Sequence, residues 1–169
     1  MKTQLYLLLV LFGFSWTLSA QNYFPDRCIG KWKGVMYISR NGIVKDSIKM
    51  QLSIAPIKDA AIPSWSWKTE AFTGRMPVTK NYVIRLKDAA KNWYIREEGV
   101  GVQLQDYLFG NKLYSIFETS GVMLTSTYEL LDNKLISEVT SGKKIIAENN
   151  GVINYSVDNL QRVVFSREQ

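Results

Sequence analysis

The chain has 169 residues, a formal net charge of +6, a single cysteine and no histidine. Without histidine there is no Ser-His-Asp or Cys-His catalysis, no His-ligated zinc and no His-ligated haem, and one cysteine cannot form an internal disulfide. The positive charge is scattered, with "KWK", "RLK" and "GKK" its densest spots, so no clustered patch for nucleic acid is expected.

Residues 1–20, "MKTQLYLLLVLFGFSWTLSA", read as a secretory signal. Lys2 supplies the positive start, Leu5 to Leu18 the apolar stretch and Ser19-Ala20 the small-residue cleavage site. The apolar run is fourteen residues long, short of the ~20 that span a bilayer. The expected product is a secreted or periplasmic protein with no transmembrane segment, residues 21–169 forming one all-β domain. Cys28 follows "YFPDR" and not a small apolar run, so lipid attachment is not expected, and no histidine is present to activate the thiol.

The next stretch, "IGKWKGVMYI" (Ile29 to Ile38), opens a run of alternating segments. In "IKMQLSI", Ile48, Met50, Leu52 and Ile54 share one face. "WSWKTEA" places Trp65, Trp67, Thr69 and Ala71 together, and "YVIRLK" sets Tyr82, Ile84 and Leu86 against Arg85 and Lys87. Period 2 with one polar face predicts antiparallel strands packed on one side. Two irregular stretches, Ala55 to Pro63 and Thr73 to Lys80, flank the Trp65/Trp67 strand; each reads either as a functional rim or as a plain surface connection. The face of Trp93 is ambiguous.

"VQLQDYLF" contains the sharpest anomaly. Asp106 shares its register with Val102, Leu104 and Leu108, which would point a carboxylate inward. A buried carboxylate needs a partner or a raised pKa. A bulge, a place at a wet rim, or inward placement of the opposite face would each remove the conflict.

From Val102 onward, turn dipeptides recur at Gly110-Asn111, Ser120-Gly121, Asp132-Asn133, Ser141-Gly142, Asn150-Gly151 and Asp158-Asn159, at spacings of 10, 12, 9, 9 and 8 residues. Such spacing predicts an antiparallel meander, closed as an up-and-down barrel or folded as a β-sandwich. "NKLYSIFETSG" and "NKLISEVTSG" echo one another at an offset of 22 residues, as one hairpin unit used twice would. The segments between turns are mostly six to eight residues, below the ~9–11 of a membrane-barrel strand.

Gly30-Lys31-Trp32 at the head of an all-β chain resembles the calycin group: lipocalins, fatty-acid-binding proteins and their secreted bacterial relatives. The resemblance implies a lipocalin-like barrel with an interior. It also implies that Trp32 closes the barrel floor, with Gly30 beside it, and that an arginine of the last strand packs over the indole. Arg162 in "NLQRVVF" is the match it suggests. Departures are about twelve strand-like segments, where eight or ten are usual, no disulfide, no helical lid before Val44, and no histidine for a haem.

The leading expectation is a secreted, non-enzymatic barrel that binds a small hydrophobic or amphipathic ligand, with Trp65, Trp67, Tyr82 and Asp106 as ligand-contact candidates. The aromatics read equally as core. No cofactor or metal is expected, since phosphate-loop, metal-spacing and nucleophile-elbow motifs are missing. Two alternatives stand beside it: a structural or protein-interaction domain of the cell envelope, and a carboxylate hydrolase built on Asp106 with a second acid such as Glu118.

Overall fold

A computed structural model of the protein describes residues 22–99, 101–145 and 152–168. The expected leader at 1–20 and the Asn150-Gly151 dipeptide lie outside the described residues. In chain order come helix α1 (Phe24–Cys28) and strands β1 (Gly30–Arg40), β2 (Ile43–Pro56), β3 (Ser64–Phe72), β4 (Val78–Asp88) and β5 (Trp93–Glu98). They are followed by β6 (Val102–Phe109), β7 (Lys112–Thr119), β8 (Val122–Leu131), β9 (Lys134–Ile145), β10 (Asn154–Tyr155) and β11 (Asn159–Arg167).

Strands β1 to β9 form an antiparallel meander, and β11 inserts between β9 and β1 to close a barrel of ten strands. The two-residue β10 pairs with the end of β9. Closure leaves no free sheet edge at the seam, and it excludes the sandwich. Alternation sets the faces: Trp32, Gly34 and Met36 point inward on β1, while Lys31, Lys33 and Tyr37 point out. Trp93 faces outward and stacks on Tyr107, with ring centroids 5.8 Å apart.

One end of the barrel is solid. Trp32, Leu52, Ile54, Trp65, Trp67, Ile84, Tyr94, Leu113, Leu135 and Phe165 form its core, and Phe24 and Cys28 of α1 join them. The helix is a single turn begun by Pro25, and the Asp26 carboxylate accepts from the Tyr23 N–H at 3.1 Å. The other oxygen of Asp26 accepts from Trp65 Nε1 at 2.7 Å, and the Cys28 carbonyl accepts from Trp32 Nε1 at 2.9 Å. Two of the three buried indoles among the described residues, Trp32 and Trp65, thus use their polar atoms to hold the plug in place.

Several expectations are corrected. The arginine over Trp32 is Arg167, at 4.2 Å from the ring centre, and not Arg162. Arg162 stands on the outer face and pairs with Glu138 at 2.9 Å. The last strand runs five residues beyond Arg162, and only its end reaches the floor. Ser141-Gly142 is no turn; both residues continue β9, where Gly142 pairs with Met123. A β-carbon at Gly142 would lie 1.1 Å from the Ser156 carbonyl oxygen, so glycine is there to let the returning chain pass. The strands number eleven among the described residues, and α1 has no counterpart in the alternation pattern because five residues are too few to show a helical stripe.

Strand lengths also exceed expectation, with eleven residues in β1 and β4 and fourteen in β2, so length alone does not separate this barrel from a membrane one. The outward faces do: Lys31, Lys33, Lys49, Lys68 and Arg85 stand where a lipid-facing band would have to be apolar. No helix among the described residues is long and apolar enough to cross a membrane.

Candidate functional site

Opposite the plugged floor the barrel is hollow. A cavity of about 810 Å³ is lined by Lys80 and Tyr82 of β4, Arg96 and Glu98 of β5, Leu104 of β6, Phe117 of β7, and Leu124, Ser126 and Tyr128 of β8. Val139 and Gln161 complete the far wall. A second hollow of about 400 Å³ at the mouth shares Gln161 and is edged by Arg40, Lys143 and Asp158. Volumes of this size suit a small organic ligand.

A polar layer separates the solid floor from the cavity. Arg96 and Asp106 sit on adjacent strands, diagonally across the ladder, both facing in. Their exposures are 4% and 1%. Arg96 Nη2 donates to Asp106 Oδ1 at 2.9 Å and Nη1 donates to Ser126 Oγ at 3.2 Å. The guanidinium also lies over the rings of Tyr128 and Tyr82, 5.5 and 5.9 Å from their centres. Tyr128 in turn packs edge-on against Trp67 at 4.9 Å, which ties the layer to the floor.

Burial pushes the Asp106 carboxyl above its ordinary value, with Arg96 and Ser115 opposing that rise. Burial is the largest influence on Arg96 and would lower its pKa, but the charge and hydrogen bond of Asp106 together with Tyr128 and Tyr82 more than offset it, and the guanidinium stays protonated. Nearer the mouth, Lys80 donates to Glu98 at 2.9 Å; the desolvation that would lower its pKa is outweighed by this bond and by Tyr82. Burial also raises the Tyr82 phenol. Both cations that line the cavity are therefore paired with carboxylates. Arg96 Nε remains buried without a hydrogen-bond partner among the described residues.

Of the four ligand-contact candidates, only Tyr82 lines the cavity. Trp65 belongs to the floor with Asp26, Tyr23 and Tyr94. Trp67 is wholly buried in the floor core, beneath the cavity-lining Tyr128 and opposite Tyr82 on the neighbouring strand. Asp106 points inward, as its register predicts, but lies behind Arg96 and is paired. Gly30 and Trp32 lie at the floor; Arg162 does not. The residues missed are Arg96, Lys80, Glu98, Ser126 and Tyr128. Arg96 had a signal, since it shares the inward face of "WYIRE" with Tyr94, one hairpin away from the equally unexpected Asp106. Glu118 is exposed at the cavity edge while Asp106 is buried under Arg96, so the two acids do not face one open cleft.

No family model and no curated protein matches the chain. Among solved structures it is similar to an S-type phycobiliprotein lyase from Guillardia theta, with a TM-score of 0.63 and 8% identity, over 86% of this chain and 91% of that one. The fluorescent protein UnaG, as a point variant, aligns over 85% of this chain and 98% of its own at 16% identity with a TM-score of 0.48. The closed ten-strand meander and its likeness to the lyase show a lipocalin-like barrel fold, as Gly30-x-Trp32 suggested.

Proposed function

We propose that the protein is an exported, non-enzymatic carrier that holds a small hydrophobic or amphipathic ligand inside its barrel. The observation that carries this reading is the cavity of about 810 Å³ above a sealed floor, with an apolar wall of Leu104, Phe117, Leu124 and Val139 and a polar base at Arg96 and Ser126. Because Arg96 and Lys80 are already matched by Asp106 and Glu98, the interior offers no unbalanced positive charge. The ligand's buried polar group is therefore uncharged and accepts hydrogen bonds, as a carbonyl, ester or hydroxyl oxygen does. Pairing of Asp106 with Arg96 speaks against the hydrolase alternative. Export rests on Lys2, the apolar run and Ser19-Ala20, and N-terminal sequencing of the exported protein should read from Gln21.

The binding test uses the uncharged probe N-phenyl-1-naphthylamine. Saturable binding at one probe per protein is expected, with Leu124→Trp, which fills the cavity wall, weakening it at least ~10-fold. Absence of saturable binding, or an unaffected variant with a wild-type melting curve, would overturn the carrier reading.

A further inference from the structure

The barrel wall is open on one side. Strands β6 and β7 have eight residues each, yet only Tyr107↔Tyr114, Leu108↔Leu113 and Phe109↔Lys112 pair between them. Beyond those three, residues 102–106 pair only with β5, and residues 115–119 only with β8, among the described residues. The ladder stops at the level of the buried Asp106, and the same register would set Leu104 opposite Phe117. The interior cavity and a groove of about 600 Å³ on the outer surface are both lined by Gln103, Leu104 and Phe117. These three residues are thus the lips of a lateral slot that joins inside to outside.

We infer that this slot is part of the binding site, and that the apolar chain of the ligand leaves the barrel through it and lies in the outer groove. The inference rests on the carrier reading and names the route its ligand takes. Two routes lead out of the cavity, and their chemistry differs. The mouth is edged by Arg40, Lys143 and Asp158, whose charges an alkyl chain would partly desolvate. The groove beyond the slot has no charged residue in its lining. It presents Tyr107, Phe109, Tyr114 and Ile116, of which Phe109 and Ile116 are 67% and 70% exposed. Covering them removes more apolar surface from water than the mouth offers, where Ile38 and Val122 stand among the charged residues. With its polar group at the Arg96 layer, an elongated, uncharged amphipath places each end in matching surroundings.

The test uses the purified wild-type protein and a hexadecanoyl monoglyceride carrying a diazirine at the chain end, irradiated and mapped by peptide mass spectrometry. Saturable adducts on Phe109, Tyr114 or Ile116 are expected, falling at least tenfold in Leu124→Trp. Saturable adducts confined to Arg40, Asn41, Lys143 or Asp158 would overturn the slot and leave the carrier reading intact. Groove adducts that persist undiminished in Leu124→Trp would mark a separate outer patch and overturn the slot as well. No saturable adduct anywhere would overturn both readings together.

Discussion

Arg167 holds its guanidinium carbon 4.2 Å above the centre of the Trp32 indole, and the same group donates to the backbone carbonyls of Ile29 and Arg27. The last strand, the first strand and the helical plug are thereby joined at one point. Arg167→Ala should lower stability by about 3 kcal/mol, through a desolvated cation–π contact and charged hydrogen bonds. Arg162→Ala loses only a half-exposed pair and should change stability by less than about 1 kcal/mol. Urea unfolding of the two variants makes the comparison, and equal losses would contradict the assignment.

The two glycines that flank Trp32 serve different needs. Gly30 has φ of 135°, and a β-carbon there would come 2.8 Å from Arg167 Nη1. At Gly34 a β-carbon would lie 2.6 Å from the Val164 carbonyl oxygen, which cannot swing away. Gly34→Ala should destabilise by about 2 kcal/mol or more, whereas Gly74→Ala, a change into open space, should stay within about 0.5 kcal/mol. Thermal unfolding would show it, and a neutral Gly34→Ala would mean that β11 can retreat.

The buried pair at the cavity base should respond asymmetrically. Asp106→Leu or Arg96→Met alone leaves a charge in the interior and should destabilise by about 3–5 kcal/mol. The double variant Arg96→Met/Asp106→Leu removes both charges and should recover most of that loss. A double-mutant cycle by urea unfolding measures the coupling, and additive losses would mean the two groups do not interact.

Cys28 is buried and its thiol is pushed up to about 12 from an ordinary value of 9.0 by desolvation, against weaker opposing effects from Arg27 and Arg167. The folded protein should leave thiol reagents unreacted until it unfolds. The sign of the linkage follows from the raised value. Above pH 9.0 the unfolded thiol ionises while the folded one keeps its proton, so stability falls by up to ~1.4 kcal/mol per pH unit until about pH 12. Below pH 9.0 this contribution is complete. Cys28→Ala should flatten that alkaline slope; an identical slope in both proteins would count against a buried thiol.

Much of the architecture was legible along the chain because strands write their faces into every second residue. The alternations around Trp65 and Tyr82 placed those side chains inward, and the structure finds them there; at Asp106 the register pointed inward beside three competing readings, and the carboxylate is buried inside. Ser141-Gly142 misled because glycine has two uses, a turn or a close passage, and only the passing Ser156 carbonyl reveals which applies. Arg162 misled for a related reason: alternation does not tell how far along a strand the barrel floor lies.

What the sequence by itself determined is therefore periodic and local: an all-β chain, the inward face of several strands, most of the hairpins, and the missing histidine chemistry. The tertiary structure alone decided which inward residues meet. Arg96 finds Asp106, Arg167 finds Trp32, and β6 parts from β7 after three pairs. These are matters of axial level and strand register around a closed barrel, set by tilt and by packing across the interior. A pattern of period 2 says whether a side chain enters the barrel, but not whether it enters the solid floor or the hollow above it.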